Sequence, residues 1–155
     1  MNNPLLRVLT IVLVTTLFFI DIYLKYLSSS LYMSESPVIP ASLFGKWISF
    51  SYAQNSDIAF SLPFLRGKAI IFFLLAIIIA VFCRTIKEKK DYRTFFLYLT
   101  LFLGAVSNLM DRIKYGYVID YIDLKYFAVF NIADAMIVVS TLGIIFMVTR
   151  QKLSG

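Results

Sequence analysis

The sequence predicts an all-α integral membrane protein in which four transmembrane helices carry a small extracytoplasmic β-sheet built from the two outer loops. Three observations lead there. Hydrophobic residues fill 60% of the 155 positions and the mean hydropathy is +0.82, more apolar surface than a soluble domain of this size can bury. Those residues gather into four long runs separated by polar or basic stretches. In two of the intervening stretches apolar and polar residues alternate, the period of a half-buried strand.

The first run, VLTIVLVTTLFFIDIYLKYL over residues 8–27, is long enough to cross a hydrocarbon core of about 30 Å at about 1.5 Å per residue. It contains Asp21 and Lys25 and leads to no A-x-A site, so it reads as an uncleaved anchor rather than a removable signal peptide. The acid stands four residues before the base, the favourable order for a pair on one helical face. Two readings stay open for that pair: snorkelling at the interface, or membership of a site.

Hydropathy falls from residue 28 to residue 66, Pro37 and Pro40 break any helix, and Trp47 with nearby aromatics suggests a layer at the headgroups. Here Ile48, Phe50 and Tyr52 alternate with Ser49, Ser51 and Ala53, and Ile58, Phe60 and Leu62 with Ala59 and Ser61. Two short strands are expected, flanking the turn-like cluster Gln54, Asn55, Ser56 and Asp57. The second run, residues 69–83, is short for a span unless Lys68 and Arg84 snorkel from its ends.

The next segment, RTIKEKKDYR, sets five basic residues against Glu88 and Asp91, which makes it a cytoplasmic loop by the positive-inside rule. Arg7, Arg150 and Lys152 agree, so both termini are expected inside. With a third span over 94–110 and a fourth over 127–149, the loops 28–66 and 111–126 share the outer face. In the latter, Tyr115, Tyr117, Ile119 and Tyr121 alternate with Gly116, Val118, Asp120 and Ile122, a third short strand. The whole of 1–155 reads as a single membrane-embedded domain.

Composition also excludes. The net charge of +6 sits at the ends of apolar runs instead of forming a basic stripe with interleaved aromatics, so no nucleic-acid partner is expected, and membrane lipids are. Cys83 is the single cysteine and has no intrachain partner. The absence of histidine removes Ser-His-Asp and Cys-His catalysis and the HExxH zinc helix. No metal or cofactor is expected. A Ser-Lys protease on Lys25 lacks a G-x-S-x-G motif, and Ser28 to Ser30 are near it only along the chain.

What remains is a doubled phrase. Asn-x-x-Asp occurs at Asn108 and Asp111, closing one apolar run, and at Asn131 and Asp134, opening the next. Carboxylates near hydrocarbon are costly to keep and mark function by default. Asn131 and Asp134 also have the spacing of a helix cap, which is a sufficient structural reason for that pair. Asp111 lies at a helix C-terminus, where the macrodipole repels it; an ion pair with Arg112 is its structural alternative. Gly104, Ser107, Asn108 and Asp111 share one helical face, whose small residues admit a close neighbour. The two acids, 23 places apart, are therefore expected to meet across a cleft as an aspartic protease dyad. Opposite dipole fields make Asp134 the ionised member and Asp111 the holder of the shared proton. Water activated by the first attacks the scissile carbonyl while the second donates to the oxyanion.

The blocks SNLMDR, YGYVIDYI and VFNIADA, with DIYLK earlier and QNSDIAFS between, resemble the signature segments of bacterial lipoprotein signal peptidase, also called signal peptidase II, over most of the chain. The resemblance implies an inner-membrane aspartic endopeptidase with its site toward the outer face. Its substrate would be a diacylglyceryl-modified prolipoprotein, cut just before the lipidated cysteine. It implies Asp111 and Asp134 as the catalytic pair, with Asn108, Arg112, Asn131, Asn55, Asp21 and Lys25 shaping the site or contacting substrate. Asp57 stands where the family usually has glycine, which adds a side chain and a charge to that loop. The competing class is a small proton-coupled transporter or channel subunit. Such a relay wants acids spread through the bilayer, whereas Asp21, Lys25, Asp111 and Asp134 cluster toward one face.

Overall fold

A computed structural model describes residues 4–33, 41–44, 47–56, 75, 77–84 and 92–153. Among the described residues three helices are long and apolar enough to cross a membrane: Pro4–Tyr32, Tyr92–Tyr115, and Ile132–Leu153 with its apolar part to Arg150. Of the expected second span only the helical stretch 77–84 falls within the described residues; it lies along the Tyr92–Tyr115 helix, with Phe82 against Phe102 at 5.3 Å between ring centroids. A fourth complete crossing is therefore not established. The helices are apolar outward, with Phe19, Leu142 and Phe146 all more than 60% exposed, as lipid-solvated helices are. The chain is a multi-pass membrane protein.

The inner side carries the polar groups. Asp21, Lys25, Ser28, Ser107, Asp111, Asp120 and Asn131 are all buried, and each needs partners there. The Pro4–Tyr32 helix, about 43 Å long at the usual rise per residue, outreaches a hydrocarbon core of about 30 Å. Its C-terminal turns stand against the sheet, where the Ser28 hydroxyl donates to the Ser51 carbonyl at 2.6 Å.

That sheet has four antiparallel strands in sequence order: β1 (Ala41–Phe44), β2 (Ile48–Asn55), β3 (Val118–Leu124) and β4 (Ala128–Phe130). β1 to β3 lie in the two loops expected to carry strands and β4 lies beyond them, so the strands are not those expected. The strand read over 58–62 lies outside the described residues, and β1 and β4 were not anticipated. β2 pairs β3 from Ile48↔Leu124 to Asn55↔Val118, with a bulge between Phe50 and Ala53.

Four boundaries differ from expectation for local reasons. The first helix runs on past residue 27 to Tyr32 because nothing before Pro37 breaks it. The helix expected to end at 110 continues to Tyr115, its last turn holding Arg112 and Lys114, cations that suit a helix C-terminus. It stops where Gly116, at φ +83°, donates its N–H back to the Arg112 carbonyl, so the strand read from Tyr115 begins at Val118. The span read from Phe127 begins at Ile132, because Ala128–Phe130 pair with Ile122–Leu124 across a tight hairpin. Tyr126 takes φ 70° there, a left-handed position without glycine that gave the turn no sequence signal.

The Tyr92–Tyr115 and Ile132–Leu153 helices approach closely at Gly104, where an added Cβ would lie 2.9 Å from the Ala133 carbonyl oxygen and 3.1 Å from Ile137 Cγ1. The first obstacle is backbone and cannot swing aside. Gly104→Val is expected to destabilise the folded protein by about 1–3 kcal/mol, read as a lowered Tm in detergent; an unchanged Tm means the helices do not meet there.

Candidate active site

The site begins with the start of the Ile132–Leu153 helix. A helix N-terminus presents N–H groups without intrahelical acceptors, and here each has a named partner. Ile132 N–H donates to the Tyr121 hydroxyl at 3.2 Å, Ala133 N–H to Asp21 Oδ1 at 3.2 Å, and Asp134 N–H to Asn131 Oδ1 at 2.8 Å. Asp134 Oδ2 accepts the Asn131 N–H at 3.3 Å, completing a reciprocal cap. The capping role is thus real for both residues. It does not exhaust Asp134, whose other oxygen accepts from Asn108 Nδ2 at 2.7 Å.

Asn131 is fully buried, and its amide works in two directions. While Oδ1 caps the helix, Nδ2 donates to Asp120 Oδ1 at 2.7 Å and reaches the Ile119 carbonyl at 3.2 Å and Asn108 Oδ1 at 3.3 Å. Asp120 Oδ2 in turn accepts from Asn55 Nδ2 at 3.0 Å. This brings Asn55, from the first outer loop, onto the same cluster. Burial pushes the Asp120 carboxyl up to about 6, against the hydrogen bonds from Asn55 and Asn131, and the negative charge of Asp134 adds to the rise.

Asp21 and Lys25 form the expected same-face pair, Nζ to Oδ2 at 3.0 Å, but they are 0% and 3% exposed, which excludes a snorkelling pair. Asp21 accepts four bonds: from Lys25 and from Ser107 Oγ (2.6 Å) on Oδ2, and from Tyr121 Oη (2.8 Å) and Ala133 N–H on Oδ1. Burial, followed by the charge of Asp21, holds the Tyr121 hydroxyl far above its ordinary range, so it stays a donor. Lys25 Nζ also reaches Asp111 Oδ2 at 2.9 Å, Asn108 Oδ1 at 2.9 Å and Ser107 Oγ at 3.0 Å.

Asp111 is therefore ion-paired to Lys25, a partner from the first helix, and its Oδ2 also accepts the Ile119 N–H at 3.2 Å. Lys25 and Asn108 connect it to Asp134, while Asn131 connects Asp120 to Asp134 through its side chain and backbone. A cavity of about 490 Å³ opens between the Pro4–Tyr32 and Tyr92–Tyr115 helices, with Lys25, Asp111, Ile22, Met110 and Lys114 among its walls.

Of the residues singled out from the sequence, Asp21, Lys25, Asn55, Asn108, Asp111, Asn131 and Asp134 thus join one hydrogen-bonded network, in which none of the bonds just described involves Arg112. Asp57 lies outside the described residues. Sequence reasoning missed Asp120, Tyr121 and the bonding role of Ser107. Asp120 looked like one polar position of an alternating strand, and only its burial marks it out. Because Asp21 neutralises Lys25 and satisfies a helix end, Asp21→Ala is expected to cost about 3–5 kcal/mol, read by detergent-phase thermal unfolding; a Tm within a degree of the parent contradicts the network.

The sequence model of the family described as signal peptidase (SPase) II matches residues 13–150. A lipoprotein signal peptidase of Caldicellulosiruptor bescii is 37% identical over 113 residues, covering 72% of this chain and 74% of that protein. One from Caldanaerobacter subterraneus subsp. tengcongensis is 32% identical over 137 residues, covering 86% and 91%. A bacterial membrane enzyme solved by the in meso method at 2.3 Å shares the fold, with a TM-score of 0.72, 23% identity, and coverage of 92% of this chain and 88% of that one. With a family model spanning most of the sequence and relatives aligned along most of their length, this chain belongs to the signal peptidase II family.

Proposed function

We propose that this membrane protease, which removes signal peptides from prolipoproteins as its family does, works by an aspartic mechanism on a carboxyl pair that includes Asp134. The substrate is a precursor whose lipidated cysteine follows the scissile bond. The cut is made at the outer face of the bacterial inner membrane, with both termini cytoplasmic, as the basic loop around Lys87–Lys90 argues.

One observation carries the choice of the second carboxyl: Asp120 and Asp134 both bond to Asn131, and the charge of Asp134 is felt at Asp120. Two acids in one field cannot both ionise readily, so one proton is shared between them. Asp120, pushed up to about 6, is the proton donor in this reading. Asp134, at the positive end of its helix, takes a proton from water. The resulting hydroxide attacks the carbonyl carbon, Asp120 donates to the oxygen that gains charge, and collapse of the tetrahedral species passes a proton to the leaving amine. No acyl-enzyme forms. This reading replaces Asp111 in the pair expected from the sequence. Asp111 instead belongs to the ion-paired part of the network, 2.9 Å from Lys25. Asn108 and Asn131 act by orienting Asp134.

The pair Asp111 and Asp134 is the second reading, favoured by the cavity that opens on Asp111. A proton-coupled transporter is not favoured, because the acids join one cluster instead of forming a path across the bilayer.

Substitutions separate the two pairs. Asp134→Asn and Asp120→Asn are expected to lower cleavage of a diacylglyceryl-modified prolipoprotein at least about a thousandfold, a loss of the size seen when a transition-state donor is removed. Asp111→Asn is expected to lower Tm yet retain more cleavage than Asp120→Asn; the reverse order restores the Asp111 pair.

The folded protein holds the Asp120 proton more tightly than an unfolded chain does, so this contribution to stability is full below about pH 4 and is lost as pH rises through about 6. Asp120→Asn should remove that dependence. The Tm of the variant relative to the parent is expected to increase from pH 4 to pH 7; a difference independent of pH contradicts the burial of Asp120.

A further inference from the structure

The other end of the helix bundle carries a second opening that the peptidase chemistry does not use. A cavity of about 670 Å³ lies where the first turns of the Pro4–Tyr32 and Tyr92–Tyr115 helices meet the last turns of the Ile132–Leu153 helix. Phe96, Leu97, Phe146 and Met147 line it, and Arg93 and Arg150 also contribute to its walls. Gly143 lets Leu97 lie close on the cavity wall: a Cβ there would come within 2.7 Å of Leu97 Cδ2. The Arg93 guanidinium lies over the Tyr92 ring, 5.7 Å from its centroid, and its Nε donates to the Tyr92 hydroxyl at 3.1 Å, which orients the group.

We propose that this cavity is a binding site for an anionic phospholipid, its phosphate held by Arg93 and Arg150 and one acyl chain laid along Phe96, Leu97, Phe146 and Met147. Charge complementarity selects the occupant. Guanidinium matches phosphate in a bidentate geometry that a point charge lacks, and basic pockets between transmembrane helices recognise anionic headgroups. Lys152, in the same last turn as Arg150, adds a further cation at this end of the bundle, so the local field favours an anion. The two arginines stand in the first and last turns of their helices, the depth at which headgroups lie, while the apolar walls stand deeper, at the depth of acyl chains. A second copy of this chain would bring the same positive end to the groove and be repelled from it.

The test is native mass spectrometry of the full chain released from detergent, with equimolar phosphatidylglycerol and phosphatidylcholine bearing identical acyl chains. The parent is expected to retain the anionic lipid preferentially. Arg93→Gln and Arg150→Gln should each weaken that preference about fivefold, the effect of one cation near an anionic headgroup. The double variant should show no preference, and the corresponding double lysine variant should recover part of it. Gly143→Leu, whose side chain must displace Leu97 from the apolar wall while leaving both arginines, should lower retention as well. Cleavage of the lipidated precursor reports folding of each variant, because these residues lie at the opposite end of the bundle from the carboxylates. Equal retention of the two lipids by the parent, or a preference surviving in the double glutamine variant, overturns the site. Competition by millimolar inorganic phosphate as effective as that by the lipid would identify a free-anion site and overturn it too.

Discussion

Everything around the carboxylates rests on the burial of Asp21. Its two oxygens accept from a lysine one helical turn away, a serine on the Tyr92–Tyr115 helix, a tyrosine of β3 and the backbone at the start of the Ile132–Leu153 helix. A buried carboxylate with all its acceptor positions used is held by several elements at once, and removing any donor leaves a desolvated charge behind. The consequence is geometric. Two of the three long helices and the sheet are joined to the first helix at one point, and that point lies at one end of the bundle. Helices whose outer faces are already solvated by lipid gain nothing hydrophobic from meeting each other. A polar junction of this kind, together with the close approach at Gly104, sets how they pack.

The same atoms that stabilise the fold also equip the site. Asn131 caps a helix with its oxygen and reaches Asp120 with its nitrogen. Asp134 closes the cap with one oxygen and turns the other to Asn108. Tyr121 accepts from one helix N–H and donates to Asp21. Groups locked this way keep their orientation without help from substrate, which is what electrostatic catalysis requires. Lys25 has a separate task. It stands between Asp21 and Asp111, one cation set against two buried acids. The basic, arginine-lined end of the bundle lies away from all of this, at the far ends of the same helices.

Much of the architecture was legible in one dimension because membrane helices announce themselves by length and hydropathy, both sums over neighbouring residues. The Asn-x-x-Asp phrases, the i,i+4 pair of Asp21 and Lys25, and the strand alternation at 48–53 are likewise local patterns. Local reasoning failed where the signal was ambiguous or absent. Phe127–Phe130 is apolar enough to pass for a helix start, and the turn before it uses Tyr126 at positive φ in place of glycine. For Asp111 an ion pair with adjacent Arg112 was the structural alternative, whereas its ion pair with Lys25 comes from another helix, a contact that no short spacing reveals.

Composition and spacing already place this chain in a membrane, set its charged residues at the ends of apolar runs, and put an unusual pair of Asn-Asp phrases at one of those ends. These follow from composition and short spacing, which no folding can alter. Only the tertiary structure decided which acids are neighbours. Asp120 is nine residues from Asp111 and fourteen from Asp134, and nothing along the chain distinguishes it from any polar strand position. Packing β3 beneath the helix ends buries it beside Asn131, while Lys25, 86 residues from Asp111, crosses from another helix to compensate that acid instead. Burial and long-range pairing set the proton affinity of a carboxyl, and both are properties of the folded arrangement alone.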